Sequence, residues 1–467
     1  MFLSTRNLED GIYKCIALSA KKNAEKHYNN KKLDFTFFKI SKFPSIYYIL
    51  VFIFLILSGK IFSKERANIK YKNIEIGRFI LAETFKSYKV YLSDIYFYIM
   101  FIKNFLIAGR LIKSADNYNS KNKIKAIYID HCGYINGILY SYFSKQKTIV
   151  YTNNFPKNIY GVDFRSKKNL NNQKYENSLK IKKKNKLNNH QIKKTKMLMN
   201  KLFTKPNIIP WMQTTKYQKY DGINYDNLDY IVYAHSFTDG QLWFGYDDFE
   251  NTLDWLLFTL NRLEKLNKKV LVKGHPNFYN KVYGINSIWD NKIFSSVKKK
   301  YKNNRNFYFI DRPLLNHDIL KKVNKNTILL SHHGTVLLEA AYHGFKSICS
   351  KASFFDENFN MANIWNNKKD YEKILNQEYS KLKLPNKNDA VYLVHKIFLD
   401  DRSYSGKKFW NNIIVNEIGI SMQEFQKKIE ILPNAKNKKK RLAYFKKLLG
   451  KKEGNIILKI SKNIELL

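Results

Sequence analysis

Between residues 230 and 349, short apolar runs alternate with helical segments, and this alternation constrains the fold more than any other feature of the sequence. Each run is three to five residues long and rich in Val, Ile, Leu, Phe and Tyr. The predicted strands are Tyr230–Ala234, Val270–Val272, Phe307–Ile310, Thr327–Leu330 and Ser347–Cys349. Strands that alternate with helices are typical of a parallel sheet. We therefore predict an α/β fold with a doubly wound parallel sheet in the second half of the chain.

The helices between these strands follow from apolar periodicity. After the first strand, apolar residues recur every three or four positions, at Phe249, Leu253, Leu256, Leu257, Leu260 and Leu263. This spacing places them on one face of a helix. Two further helices are predicted, one around Leu314–Val323 and one over Val336–His343.

The first half of the chain holds a shorter unit of the same kind. A predicted strand at Lys125–Ile129 is followed by a loop at Asp130–Gly133, a helix at Tyr134–Ser144 and a strand at Thr148–Tyr151. Strand, helix and strand within this length are typical of a parallel pair with a crossover helix. A long helix is predicted before this unit, over about residues 88–114.

The apolar stretch Ile46–Leu57 has three interpretations. It is 12 residues long, lies between Lys42 and Lys60, and is bounded by Pro44 and Gly59. A buried core helix or strand pair is one interpretation, an interfacial membrane anchor the second and a membrane span the third. The start of the chain lacks the apolar core that a secretory signal requires.

Charge and cysteine content argue against a nucleic-acid-binding protein and against a disulfide-stabilised one. The chain has 83 Lys and Arg against 38 acidic residues, a formal net charge of +45, yet only ten of the cations are Arg. Because Arg is the usual reader of nucleic acids, we expect attraction to anionic substrates or an anionic membrane surface rather than nucleic-acid binding. The three cysteines, Cys15, Cys132 and Cys349, form no CxxC pair, which predicts a reducing compartment without a disulfide framework.

Polar clusters follow three of the predicted strands. They are His235–Asp239, Lys273–Pro276 and Ser331–Thr335. Ligands of open parallel sheets bind beyond the carboxyl ends of the strands, at the same edge. The sequence therefore predicts that all three clusters face one crevice.

The third cluster suits a phosphate. Gly334 permits close approach of the backbone, Thr335 is predicted to cap the following helix, and helix N-termini bind anions. Glu339 lies one turn further on, where a carboxylate can accept hydrogen bonds from ribose hydroxyls. The alternative is an ordinary helix cap with an exposed Glu.

The second cluster suits the same ligand. His275 precedes Pro276 and is held at a rigid bend, from which it can donate to a diphosphate or protonate a leaving phosphate. Lys273 adds a cation. The alternative is a packed or solvated histidine. His332 and His333 are adjacent, and no metal-ligand spacing, Walker loop, GxGxxG or GxSxG occurs.

Taken in order, these segments resemble a family. HSFTD, Asp254-Trp255, VLVKGHPN and HHGTVLLEAAYHG together resemble the capsule and surface-polysaccharide biosynthesis glycosyltransferases. That group includes capsular Kdo transferases and is more distantly similar to bacterial polysialyltransferases. The likeness covers residues 70–150 and 230–375, and it departs from the family at Gly274, where Pro is common, and at His332, where a small residue is usual. It implies the GT-B fold, which has two Rossmann-like domains facing a cleft.

The resemblance also implies domain roles. We expect a helical, apolar extension over residues 1–60 and an acceptor domain over 61–228, with a Lys/Asn-rich insertion at 166–200. A nucleotide-sugar-binding domain is expected over 229–400 and a basic helical tail over 401–467.

The implied activity is transfer of a sugar from a nucleotide-sugar to a capsular or lipopolysaccharide-type surface glycan or glycolipid, without a metal or other cofactor. The residues expected to bind the donor are His235, Asp239, Lys273, Ser331, His333, Gly334, Thr335 and Glu339. The expected catalytic residues are Asp130, His131 and His275. Asp130, or His131 as second choice, would be the acceptor base, although Asp130 could instead cap the helix near Tyr134.

Two other functions stay open at this point. One is a polyol-phosphate transferase of teichoic-acid type, and the other is a non-catalytic basic protein that binds nucleic acid or anionic glycan. In either transferase case we expect a cytoplasmic protein at the inner face of the cytoplasmic membrane, in peripheral contact with anionic lipid.

Overall fold

The computed structural model describes residues 40–121, 126–130, 132–146, 149–153, 181, 183, 186–204, 217–218, 225, 227–279 and 285–399. For residues 126–130 and 149–153 it describes the backbone alone. The predicted basic tail at 401–467, the first 39 residues and the first part of the predicted insertion lie outside the described residues.

The first half of the chain is built around one long helix. Its elements are α1 (Ile46–Leu57), β1 (Lys70–Tyr71), β2 (Ile74–Glu75), α2 (Gly77–Thr84), α3 (Asp94–Lys121), β3 (Ala126–Asp130), α4 (Gly137–Lys145) and β4 (Ile149–Asn153). The strands β1 and β2 pair antiparallel, whereas β3 and β4 pair parallel. Phe101, Phe105 and Ala108 of α3 are fully buried in the core of this half.

Helix α1 packs against α3 at a glycine. The ring of Tyr48 lies 2.4 Å from the position that a Cβ on Gly109 would take. The Tyr48 hydroxyl donates to the backbone oxygen of Phe105 over 2.9 Å. A larger residue at position 109 would therefore separate the two helices.

The second half is a six-stranded parallel sheet with helices around it. Its strands are β5 (Tyr230–Tyr233), β6 (Val270–Lys273), β7 (Phe307–Ile310), β8 (Ile328–Ser331), β9 (Ser347–Ser350) and β10 (Asn363–Trp365). Its helices are α5 (Asn189–Thr204), α6 (Thr252–Lys265), α7 (Ile285–Lys300), α8 (Asn316–Leu320), α9 (Val336–His343), α10 (Lys368–Leu375) and α11 (Lys387–Val394). The predicted α/β fold class, with a parallel sheet in this half, is confirmed.

The strand order of this sheet is β10-β9-β8-β5-β6-β7, and every neighbouring pair is parallel. The chain begins in the middle at β5, runs to one edge at β7, and returns to β8 on the other side of β5. This is the doubly wound order, and ligands bind at the point where its direction reverses. Here that point lies between β5 and β8.

Four of the six strands of the sheet are buried along their whole length. All four residues are buried in β5, β6, β8 and β9. Continuous apolar runs of this kind are typical of parallel strands covered on both faces. Helix α6 supplies part of the cover through Trp255, Leu256, Leu260 and Leu263, and the Asn251 side chain caps it by accepting from two backbone amides.

The apolar stretch Ile46–Leu57 is a helix with an exposed surface. Only Tyr48 and Leu55 are buried, so α1 is not the buried core element that was one of its three interpretations. Within the described residues, α3 is the one helix whose length and composition would let it cross a membrane. Its buried face belongs to the protein core, as Phe101 and Phe105 show.

The loop between β5 and α6 joins the two halves. Arg66 forms a paired hydrogen bond to the carboxylate of Glu250, over 3.0 and 2.8 Å. Arg78 donates to the backbone oxygens of Leu242 and Trp243 over 3.3 and 3.2 Å. Because Leu242 packs in the core of the first half, this loop ties the two halves together.

Candidate functional site

A cavity of about 670 Å³ opens at the carboxyl ends of β5, β6 and β8, at the switch point of the sheet. Seven residues predicted from the sequence line it: His235, Lys273, His275, Ser331, Gly334, Thr335 and Glu339. Residues of all three predicted polar clusters therefore line one cavity, as the sequence predicts. Two predicted donor-binding residues, Asp239 and His333, do not line it.

Lys273 brings an unpaired cation to the cavity. It is the last residue of β6 and is only 4% exposed. Within the part of the chain that the structure describes, its ammonium forms no hydrogen bond or ion pair. Burial lowers its pKa to about 8, and the nearby Glu339 carboxylate opposes this shift. A buried cation without a partner is costly, so this position favours an anionic ligand.

His275 faces the cavity as a hydrogen-bond donor. The backbone N–H of Asn277 donates to its Nδ1 over 3.2 Å, so in the neutral ring the proton is on Nε2. Burial lowers the pKa of His275 well below its usual value, and the neighbouring His235 and Lys273 lower it further. The neutral ring therefore presents an Nε2–H group, which suits a phosphate oxygen.

The neighbours of Gly274 explain why this position holds glycine and not proline. The Tyr279 hydroxyl lies 2.4 Å from the position that a Cβ on Gly274 would take. The Gly274 amide also donates to the backbone oxygen of Ile310 over 3.0 Å. Pro, which is common here in the family that the sequence resembles, would meet the hydroxyl and lose that hydrogen bond.

The N-terminus of α9 forms another wall of the cavity. Gly334, Thr335 and Val336 all line it. The prediction that Thr335 caps α9 is wrong, because Thr335 has helical backbone angles and its side chain makes no capping hydrogen bond. The Ser331 hydroxyl instead accepts from the Gly334 amide over 3.1 Å. The amides of Gly334, Leu337 and Leu338 already have acceptors, so this wall attracts anions chiefly through the positive end of the α9 dipole.

Glu339 lies in a polar corner of the cavity. Its Oε2 accepts from Asn316 over 2.6 Å, and Asn316 in turn accepts from the Tyr233 hydroxyl over 2.5 Å. Burial raises the pKa of Glu339 to about 7. The hydroxyl of Tyr217 is buried at the same cavity and has no partner within the described residues. The alternative of an exposed Glu in an ordinary cap is therefore wrong.

Behind the cavity, two histidines connect it to a buried carboxylate. His332 Nε2 lies 3.1 Å from Asp247, and the Nδ1 atoms of His332 and His333 lie 2.6 Å apart. Asp247 also accepts from Ser350 and Trp365. The Asp247 carboxylate accepts from Nε2 of His332, so the His332 ring is held between this carboxylate and His333.

Burial lowers the pKa of His333 well below its usual value, and the neighbouring histidines lower it further, so its ring is neutral. The His333 ring is 4.0 Å from the ring of His235, between centroids, and His235 lines the cavity. Burial lowers the pKa of His235 to about 4, so it is neutral as well. His235 Nδ1 lies 3.3 Å from the Ser236 oxygen, which leaves Nε2 of His235 as an acceptor. In the cavity wall, His275 therefore offers a donor and His235 an acceptor.

A second buried carboxylate holds the loop that carries His235. Asp290 of α7 accepts from the Ser236 and Thr238 hydroxyls and from the backbone amides of Phe237 and Thr238. Burial raises its pKa to about 6 although these donors lower it. Asp239, in the same loop, accepts from the Tyr134 hydroxyl of the first half. Asp239 thus joins the two halves.

The predicted acceptor base belongs to the first half of the chain. Asp130 is the last residue of β3, and the helix after it, α4, begins at Gly137 with Asn136 at the cap position. Asp130 therefore does not occupy the cap position of α4, and its role as base stays a prediction. His131 lies outside the described residues. Nearby, Gly133 packs under Trp243, whose Nε1 lies 1.2 Å from the position of an added Cβ.

Sequence reasoning missed the supporting residues of the site. They are Tyr217, Tyr233, Asp247, Asp290 and Asn316. Among the described residues, no three His, Cys, Asp or Glu side chains are grouped as metal ligands. The expectation that no metal or cofactor takes part stays a prediction.

Two solved structures align with the chain. One is the UDP-GlcNAc 2-epimerase of Methanocaldococcus jannaschii in complex with UDP-GlcNAc and UDP, at 16% identity, with 62% of this chain and 80% of that chain covered and a TM-score of 0.28. Another is the UDP-GlcNAc 2-epimerase of Neisseria meningitidis bound to UDP-GlcNAc, at 12% identity, with 86% and 98% covered and a TM-score of 0.26.

No protein-family model and no curated protein matches the chain. Alignments at this identity and score assign no function. The resemblance to capsule glycosyltransferases stays a prediction.

Proposed function

We propose that the protein binds a nucleotide-sugar in the cavity between β5 and β8 and transfers the sugar to a surface glycan or glycolipid. The observation that carries this proposal is the pair of groups at the end of β6. Lys273 is a buried cation that has no hydrogen bond or ion pair to any residue that the structure describes, and His275 presents an Nε2–H group to the same cavity. Together with the N-terminus of α9, these groups suit the phosphates of a nucleotide.

The other end of the cavity suits the nucleoside. Glu339 and Asn316 form a polar corner with the hydroxyl of Tyr217. A carboxylate and an amide can accept from and donate to ribose hydroxyls.

The reaction that we propose is a displacement at the anomeric carbon. The bond from that carbon to the phosphate oxygen breaks, and a bond to the acceptor oxygen forms. Lys273 and His275 stabilise the negative charge on the departing phosphate, and a base takes the proton of the acceptor hydroxyl. We propose Asp130 as this base, or His131 in its place, because their loop adjoins the loop that carries Trp243.

A ligand screen tests the binding half of the proposal. We expect one of the CMP-, CDP-, UDP- or GDP-sugars to raise the melting temperature of the full chain, since a ligand of the folded state stabilises it. Lys273→Met should abolish this increase. Lys346→Met is the matched control, because Lys346 is also buried but donates to the backbone oxygen of Tyr379 outside the cavity. No stabilisation by any of the four classes would contradict the proposal.

Asp130→Asn tests the transfer half. With the stabilising donor identified, we expect transfer to the acceptor to fall by about a hundredfold or more. Donor binding and the melting temperature should not change. Near-normal transfer would move the base elsewhere in the first half. If cytidine diphosphate polyols stabilise the protein and no sugar donor does, the polyol-phosphate transferase is the correct class.

A further inference from the structure

Helix α1 leaves most of its apolar side chains uncovered. It is 12 residues long and contains no charged residue. Ile46 and Leu57, at its two ends, are 79% and 80% exposed. Its exposed side chains are Ile46, Tyr47, Ile49, Leu50, Ile53, Phe54 and Leu57. Contiguous exposed apolar surface of this kind marks a contact with another molecule or with a membrane.

One side of α3 extends this surface. Ile95, Ile99 and Leu106 are exposed and follow one another at spacings of four and seven residues, which places them on one side of the helix. The rings of Phe52 and Phe105 are 4.7 Å apart, so α1 runs alongside α3. We call these residues, with the exposed residues of α1 and with Phe43, Phe62 and Leu92, the apolar face.

The charges around the apolar face are mostly positive, and its exposed acidic residues, Glu65 and Asp94, lie at its ends next to Phe62 and Leu92. Lys42, Lys60 and Lys103 are exposed at its margins. Lys103 and Arg110 also border a shallow groove between apolar residues of α3. The sequence has no acidic residue from position 40 to 64 or from 95 to 115. Cations around an apolar surface complement anionic lipid headgroups, whereas a second copy of the same face would bring like charges together.

The lengths of α1 and α3 decide whether either helix could span a membrane or would lie in its interface. Twelve residues of helix extend about 18 Å, which is too short for a hydrocarbon core of about 30 Å. Helix α3 is long enough, but its opposite side is buried in the core at Phe101 and Phe105. We propose that the apolar face binds an anionic lipid bilayer, with α1 lying in the plane of the interface. This inference does not rest on the proposed sugar transfer.

Vesicle flotation with the full chain tests the inference. We expect the protein to float with vesicles of phosphatidylcholine and phosphatidylglycerol, and less with phosphatidylcholine alone. The double variant Leu50→Ser, Phe54→Ser should lower the fraction bound at least tenfold. The matched control is Ile288→Ser, Leu384→Ser, which removes two equally exposed apolar side chains from the second half and should bind as the unaltered protein does.

Three results would overturn the inference. The first is that the protein does not bind either kind of vesicle. The second is that the Leu50 and Phe54 double variant binds as well as the unaltered chain. The third is a dimer in sedimentation that dissociates in this variant, without vesicle binding, which would assign the apolar face to a second copy. The melting temperature of each variant shows whether it has folded.

Discussion

The side chain of His275 acts through one nitrogen, because the Asn277 amide occupies the other. His275→Ala removes a donor that lies in a buried site, where hydrogen bonds to charged groups are strong. We expect nucleotide affinity to fall by about a hundredfold, the scale of one lost charge-stabilising donor. Isothermal calorimetry measures this directly. His190→Ala, at an exposed position of α5, should bind normally, and equal affinities of the two variants would contradict the assignment.

Glu339 makes the stability of the protein depend on pH. Its pKa is raised to about 7 by burial, so the folded state prefers the protonated form. Its contribution to stability is complete below its unfolded pKa of about 4.3 and is lost as the pH rises through about 7. Glu339→Gln removes this titration and keeps the acceptor for Asn316.

Urea denaturation at pH 5 and pH 7.5 measures the effect. We expect the free energy of unfolding to fall between these values by roughly 1–3 kcal/mol more in the unaltered protein than in Glu339→Gln. Asp290, whose pKa is raised to about 6, adds a slope of the same sign in both proteins. Glu264→Gln, at an exposed position, should keep the full slope. Identical slopes in all three proteins would refute the role of Glu339.

At the scale of single elements, α7 positions the loop after β5 through Asp290. Asp290→Ala leaves two backbone amides and two hydroxyls of that loop without their acceptor. Because buried unsatisfied donors are costly, we expect a loss of at least about 3 kcal/mol in unfolding free energy. Nucleotide binding should weaken too, since His235 is in the same loop.

The control for this variant is Asp311→Ala. Asp311 forms an ion pair with Lys298, which belongs to α7 as Asp290 does. Both side chains of this pair are nearly half exposed. Exposed ion pairs contribute little, so we expect a loss below about 1 kcal/mol. Chemical denaturation of the two variants compares them, and similar losses would show that the Asp290 contacts do not stabilise the loop.

The elements that the sequence predicts well are those whose pattern is local. Helix α9 has its predicted bounds, and β7 does as well, because a buried strand and a one-faced helix each have a characteristic run of residues. Strand β10 was missed, since it has only three residues and begins with Asn363. Helix α8 is shorter than predicted, and α4 begins three residues later, at Gly137.

The residues of the candidate site also differ in how well the sequence predicts them. Residues that follow a strand directly, such as Lys273 and Ser331, could be placed in the crevice because strand ends share one edge. Asp247 and Asp290 could not, because they reach the site from a loop and from the middle of a helix, and tertiary packing alone brings them there. The Thr335 cap failed for a related reason, since the backbone oxygens of Gly334 and Thr335 already accept from the amides of Leu337 and Leu338.

Across the whole molecule, Gly133 permits the two halves to meet. An added Cβ would lie 1.2 Å from Trp243 Nε1, so Gly133→Ala must displace the indole and the loop that it holds. We expect a loss of several kcal/mol in unfolding free energy, as in other overpacked sites. Nucleotide binding should weaken as well, because Trp243 lies in the same loop after β5 as His235, which lines the cavity.

Gly59→Ala is the matched control for the junction. Gly59 has a positive φ of 71°, but nothing lies within 4 Å of an added Cβ. The substitution should therefore cost about 1 kcal/mol from backbone strain alone. A thermal melt of both variants separates the two effects, and an equal cost would mean that Trp243 moves away freely.

The buried ammonium of Lys273 also links binding to the solvent. With a pKa of about 8, part of the lysine is neutral in mildly alkaline solution. An arriving phosphate raises that pKa, so the protein must take up a proton as the ligand enters. The heat measured on binding near pH 8 would then change with the ionisation enthalpy of the buffer, and it would do so less at pH 6.5, where the lysine is already charged.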